Sequence, residues 1–149
     1  TIFCWNPCQQ GAALAASLGL DAVITAWGPG CYYINRKQHD GEGEPVAAGT
    51  GRKSDQLPAV YAYKPVPDKV MDPNVKKHYA GVQATFWTEH VSDINYFNYL
   101  AYPRLLAVAE AAWSPEEKKD FEDFRTRFTA DTMLFDLTGR LYGKHFIAK

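Results

Sequence analysis

A chain of 149 residues has the length of one ordinary domain. Its formal net charge of −1, mixed in sign along the chain, removes the electrostatic case for nucleic acid or an anionic membrane surface as partner. With 46% of residues hydrophobic the chain can bury a core, yet no apolar run reaches the roughly 20 residues of a membrane span.

The first stretch, 1–5, is short, apolar and β-like, without a basic leader. Such an opening suits the interior of a longer polypeptide, or a mature secreted chain. Residues 9–20 read as a helix, rich in alanine and leucine and closed by Gly19. Residues 21–27 form a second strand, stopped by Gly28-Pro29-Gly30. The β-α-β order with short connections implies a parallel pair joined by a right-handed crossover.

Residues 35–58 are polar and glycine-rich and read as a long loop. A short apolar run at 60–63 follows, and Pro65, Pro67 and Pro73 forbid a long helix, leaving room for a short one over 72–79. Residues 81–88 are a third strand. From Ser92 the chain turns helical, with Pro103 a kink or fresh start and an apolar face of Leu105, Leu106, Ala109, Ala112 and Trp113. Ser114-Pro115-Glu116-Glu117 predicts the start of a last helix, with Ser114 as its cap. That helix should reach about Leu137, present Phe121, Phe124, Phe128, Met133, Leu134 and Leu137, and end at Gly139. Three parallel strands with helices belong either to a doubly wound sheet or to a (β/α)8 barrel, and a complete barrel needs about 250 residues.

The chemistry-bearing residues lie just past strand ends, where parallel α/β folds place ligand groups. Trp5 follows the first strand, Tyr32-Tyr33-Ile34-Asn35 the second, and Trp87-Thr88-Glu89 the third. Rings, an amide and a carboxylate suit a sugar pocket; the same aromatics also suit core or loop anchors. Cys4, Cys8 and Cys31 are an odd number, which argues against a disulfide framework. Cys4-x-x-x-Cys8 lacks a second pair at zinc spacing, and the four histidines are scattered, so no metal or cofactor is expected.

The stretch Gly81-Val-Gln-Ala-Thr-Phe-Trp87-Thr-Glu89 precedes Tyr102-Pro103-Arg104 and Ala109-Glu110-Ala-Ala-Trp113-Ser-Pro115. In this order they resemble the end of the catalytic domain of glycoside hydrolase family 20, the β-N-acetylhexosaminidases. Trp5 with the Gly/Ala-rich segment 11–25, Tyr33-Ile34-Asn35 and Pro65-Val66-Pro67 resemble the family's preceding segments. The resemblance implies a TIM barrel, incomplete on its own, of which residues 1–149 supply the sixth to eighth strands and terminal helices. It implies exo-acting, retaining hydrolysis of terminal N-acetylglucosamine or N-acetylgalactosamine from glycans or chito-oligosaccharides, with the substrate's own acetamido oxygen as nucleophile.

By the same resemblance Tyr33 is the catalytic group that donates its hydroxyl to the acetamido oxygen. Trp5 walls the acetamido pocket, Trp87 floors the ring, and Glu89 accepts bonds from the outer hydroxyls. Asn35 stands where the family commonly has Asp, which removes a charge from that bond. The Asp-Glu pair that does the family's acid chemistry belongs to the fourth strand, outside this sequence. Glu116-Glu117 read as helix-start residues and Glu122-Asp123 as a solvated face. Trp27 reads as structural, and Arg104 and Glu110 as ion-paired residues that fix helix position. Open strand edges at 1–5 and 81–88 invite the missing N-terminal part of the barrel, or a second copy, as partner. The alternative is a non-catalytic half-barrel that binds amino sugars or packs against another chain.

Overall fold

The computed structural model describes residues 1–5, 8–25, 34, 38, 56–88 and 91–147. The chain opens with strand β1 (Ile2–Cys4), helix α1 (Cys8–Ser17) and strand β2 (Ala22–Ile24). Helix α1 ends as its sequence dictates. Gly19 takes the left-handed φ of +74°, its N–H reaches Ala16 O at 3.0 Å, and the next N–H reaches Ala15 O at 2.9 Å. Glycine enters this conformation without the steric cost that a Cβ imposes.

Helices α2 (Leu57–Ala62) and α3 (Pro73–Lys76) precede strand β3 (Tyr79–Val82). Proline stands in the first turn of both, where no N–H is needed, and the Asp72 carboxylate caps α3 by accepting Asn74 N–H at 2.8 Å. The short helix expected at 72–79 stops at Lys76 because the chain enters β3 at Tyr79. The strand expected at 81–88 therefore runs over Tyr79–Val82, starting two residues early and ending six short of Thr88. Its ladder to β2 runs from Ala22 N–H to His78 O, 2.8 Å, up to Gln83 N–H to Ile24 O, 2.8 Å.

The three strands are parallel in the order β1-β2-β3, with Ile2 opposite Ala22 and Ala22 opposite Tyr79. Side chains alternate across the sheet. Cys4, Ala22 and Ile24 turn to the helical side and share a core with Ala12 and Ala15 of α1, Leu57, Val60 and Tyr61 of α2, and Val108. Burial raises the Cys4 thiol above its usual range. The small residues of α1 face inward, while Leu14 and Leu18 are exposed.

Helix α4 (Ile94–Ala101) begins at Asp93, whose carboxylate accepts the Asn95 and Tyr96 N–H groups. A cis Tyr102–Pro103 peptide separates it from α5 (Arg104–Trp113). Of the apolar face predicted for α5, Leu106 packs on the core as expected, but the rest of the stripe is displaced by about one residue. Arg104, Ala107 and Val108 are buried and Ala111 packs on the core, whereas Ala109 and Ala112 are exposed and Trp113 is 88% exposed. A helix this rich in alanine is apolar on several sides, so composition alone misplaces the buried stripe.

The last helix, α6 (Phe121–Leu137), also departs from expectation. Ser114 does not cap it. Its extended backbone (φ −98°, ψ 134°) closes α5, and Glu116–Lys118 form a separate 3-10 turn. Asp120 is the true cap, accepting the Glu122 and Asp123 N–H groups at 2.9 Å each. Phe124 and Phe128 are buried, but Met133, Leu134 and Leu137 are exposed. Gly139, with φ +64°, ends the helix as predicted.

One polar cluster ties α6 to the body. Glu110 accepts the Tyr61 hydroxyl at 2.7 Å and both contacts of the Arg127 guanidinium at 2.8 and 2.9 Å, while Arg127 also reaches Asp123 at 2.8 Å. Burial, then the bond to Glu110, pushes the Tyr61 hydroxyl above its usual value. Glu110 is thus ion-paired as expected, with Arg127 as its partner. Glu110→Ala leaves a buried hydroxyl and a guanidinium without their shared acceptor. Its urea unfolding curve should show a loss of about 1–3 kcal/mol, and an unchanged midpoint would contradict the tie.

Candidate active site

The sheet face opposite the helices carries a hollow of about 500 Å³ lined by Phe3, Trp5, Thr25, Gln83, Thr85 and Trp87. Every lining residue follows from strand alternation. Phe3 and Trp5 are two apart on β1 and its extension, and Gln83, Thr85 and Trp87 are two apart on the extended chain beyond β3. Residues between them point the other way. Val82 and Ala84 pack on the core, and Phe86 meets Phe97 of α4 at 4.5 Å between ring centres. The hollow opens at the C-terminal ends of all three parallel strands, where ligand groups collect in such sheets.

Trp5 and Trp87, singled out from sequence on separate strand ends, share this hollow. Each keeps about half of its surface open, 52% and 45%. Thr25 links the first two strand ends: its hydroxyl donates to Cys4 O at 2.9 Å and its N–H to the same oxygen at 3.0 Å. Two indole faces, a phenyl ring, two hydroxyls and an amide make a wall suited to a neutral ring with an apolar side and hydroxylated rim. None of these described lining residues is acidic or basic. Sequence reasoning missed Phe3, Thr25, Gln83 and Thr85. A count backward by twos, once from Trp5 and twice from Trp87, would have found three of them, and the β1–β2 register the fourth.

Tyr33, Asn35, Glu89 and Trp27 lie outside the described residues. Ile34, between the first two in sequence, is described and buried. Its N–H donates to Thr85 O at 3.1 Å, so this point of the chain lies against the strand end that carries Trp87.

The acidic pairs sit elsewhere. Glu116 bonds Lys119 at 3.1 Å, Glu122 bonds Arg125 at 2.7 Å, and Asp123 bonds Arg127. The capping role expected of Glu116-Glu117 belongs to Asp120, and Glu122-Asp123 are surface residues in the first turn of α6. Arg104 is fully buried, and its partners include two backbone carbonyls, Leu100 O and Ile34 O. A second cavity, of about 570 Å³, runs beside β3 between Lys64, Val66, Met71, Val82, Ala111 and Glu116.

Trp5 is half-exposed and lies outside the core cluster of buried residues. Trp5→Ala should move the unfolding free energy by under about 1 kcal/mol in urea titration. A larger loss would mark the ring as packing rather than pocket wall.

Comparison with known proteins bears on this geometry. The family model described as glycosyl hydrolase family 20, catalytic domain, matches residues 1–116. A β-hexosaminidase of Porphyromonas gingivalis is 37% identical over 142 residues, which is 95% of this chain and 18% of that protein. The exo-β-N-acetylglucosaminidase of Vibrio harveyi, solved with N-acetylglucosamine, superposes with a TM-score of 0.75 at 27% identity, over 91% of this chain and 21% of its own. The β-N-acetylhexosaminidase of Streptomyces coelicolor shares the fold, with a TM-score of 0.70 at 23% identity over 93% and 27% of the two chains. This chain therefore spans about a fifth of the length of the first relatives it matches.

Proposed function

The chain belongs to glycosyl hydrolase family 20, and from that premise we propose that it is the C-terminal part of the catalytic barrel of an exo-acting β-N-acetylhexosaminidase. Its three parallel strands are part of a TIM barrel. We read residues 1–149 as the sixth to eighth strands with the terminal helices. The observation that carries the reading is the pairing of Trp5 and Trp87 in one hollow at the strand ends.

In this reading the 2-acetamido sugar lies on Trp87, with its acetamido arm toward Trp5. Indole faces meet the C–H side of a pyranose, and the polar rim takes Gln83, Thr85 and Thr25. Tyr33 donates its hydroxyl to the acetamido oxygen and steadies it for attack on the anomeric carbon. Glu89 accepts hydrogen bonds from the outer hydroxyls, and Asn35 binds one hydroxyl without the strength a charged acceptor gives. The nucleophile is the substrate's own oxygen, so this half of the pocket has to position and screen, not to attack.

Protonation of the leaving oxygen needs an acid that the described lining residues do not supply. We assign it to an Asp-Glu pair on another part of the barrel. That part meets this one along the outer edges of β1 and β3, and the cavity beside β3 gives a further strand room to seat. A second copy of the chain is the other candidate for those edges. An amino-sugar-binding half-barrel without turnover would share the same walls, and the same uncharged hollow is what favours it.

Hydrolysis of a chromogenic N-acetyl-β-glucosaminide separates these readings. Residues 1–149 alone should give no turnover. In the whole enzyme, Trp87→Ala should lower kcat/KM by about 10-fold or more, the loss of one stacked ring face. Turnover by the 149-residue chain, or an unaffected Trp87→Ala enzyme, would contradict the proposal.

A further inference from the structure

We propose that Arg104 is a positioning residue of the sugar pocket: its guanidinium holds the Ile34 carbonyl against the strand end that carries Trp87, and the work of Tyr33, the neighbour of Ile34 in sequence, depends on that hold. This inference rests on the reading of Tyr33 given above and goes beyond it.

Arg104 occupies an improbable place for a charged side chain. Among the described residues Arg104 is the largest of the fully buried side chains, with 0% of its surface exposed. Arginine is almost never buried without partners that repay its lost hydration. Its partners here include carbonyls from two distant parts of the chain. Nε donates to Leu100 O at 3.0 Å, and Nη2 donates to Leu100 O at 2.5 Å and to Ile34 O at 2.6 Å.

The Leu100 contact has a local cause. Carbonyls in the last turn of a helix lack an intrahelical partner and carry the negative end of its dipole. Helix α4 ends at Ala101, so Leu100 O is one of these, and a cation placed there is favourable. Tyr99 O would look four residues on to Pro103, which has no N–H. It is served by the Gln38 side-chain amide, whose nitrogen also donates to Tyr102 O at 3.1 Å.

The Ile34 contact has no local cause, since it joins residues 70 apart. Its effect is to hold one peptide unit from both ends. Ile34 N–H is bound to Thr85 O at 3.1 Å, and Ile34 C=O is bound to Arg104. Thr85 is two residues before Trp87 and lines the same hollow. Ile34 is therefore referenced to the tryptophan strand end by one bond and to the α4–α5 junction by another. Gln38 repeats the attachment four residues on. A rigid planar fork suits this job, because it can serve two carbonyls at fixed angles. A lysine ammonium keeps the charge but not the fixed geometry. Support of this kind matters because misplacing a reacting group by about 1 Å can cost about 100-fold in rate.

The test is a double-mutant cycle in the whole enzyme with Arg104→Lys, Tyr33→Phe and both together, measured as kcat/KM on an N-acetyl-β-glucosaminide. Arg104→Lys should lower kcat/KM by about 30-fold in the wild-type background and by less than about 3-fold once Tyr33 is Phe. A role confined to stability would give the same loss in both backgrounds. Equal losses, with Tyr33→Phe itself impaired, overturn the inference alone. A Tyr33→Phe enzyme with unaltered turnover overturns the reading of Tyr33 and this inference with it. Should Arg104→Lys fail to fold, hydrogen exchange on the wild-type enzyme decides. The Ile34 amide should be protected as well as the β3 amides, and unprotected exchange there overturns the clamp.

Discussion

Alternation along three parallel strands is the constraint on which the remaining structure depends. A strand sends successive side chains to opposite faces, so burying Cys4, Ala22 and Ile24 under the helices obliges Phe3, Trp5 and Thr25 to the other side. The extension of β3 obeys the same rule: Val82 and Ala84 go to the core, and Gln83, Thr85 and Trp87 go to the hollow. No separate device is needed to gather the pocket wall. The helices fix one face, and the parallel register then aligns the strand ends at one mouth.

The helical layer does more than cover the sheet. The Ala-rich faces of α1 and α5 let backbones approach closely, and Tyr61, Glu110 and Arg127 join α2, α5 and α6 through one carboxylate. The break between α4 and α5 leaves carbonyls without helical partners, and Gln38 and Arg104 answer them from side chains. Two long-range attachments of the segment around Ile34 thus arise from the ordinary need to satisfy a helix end. The path from helix termination to pocket wall is short and built from hydrogen bonds.

Much of this was legible in the residues. The β-α-β order, the glycine stops at 19 and 139, the break at Pro103 and the two tryptophans at strand ends all stand where sequence placed them. What was not legible has physical reasons. Ser114-Pro115-Glu116-Glu117 is a sound helix-start pattern, but Asp120 offers a better-placed cap just before the buried Phe124, and the tertiary contact decides. In α5 nearly every position is apolar, so periodicity cannot choose the face; packing chose Arg104, Ala107 and Val108. Arg104 announced itself as a charge in an apolar helix, yet carbonyl partners 4 and 70 residues away leave no trace in composition. Phe3, Gln83 and Thr85 were within reach of a simple count of two from Trp5 and Trp87.

On the proposed function, the hollow at the strand ends is where a 2-acetamido pyranose sits. A crystal structure of the whole enzyme soaked with N-acetylglucosamine tests this most directly. It should show the pyranose against the Trp87 indole with the acetamido group directed toward Trp5. A sugar bound away from both tryptophans, with the hollow filled only by solvent, would contradict the account.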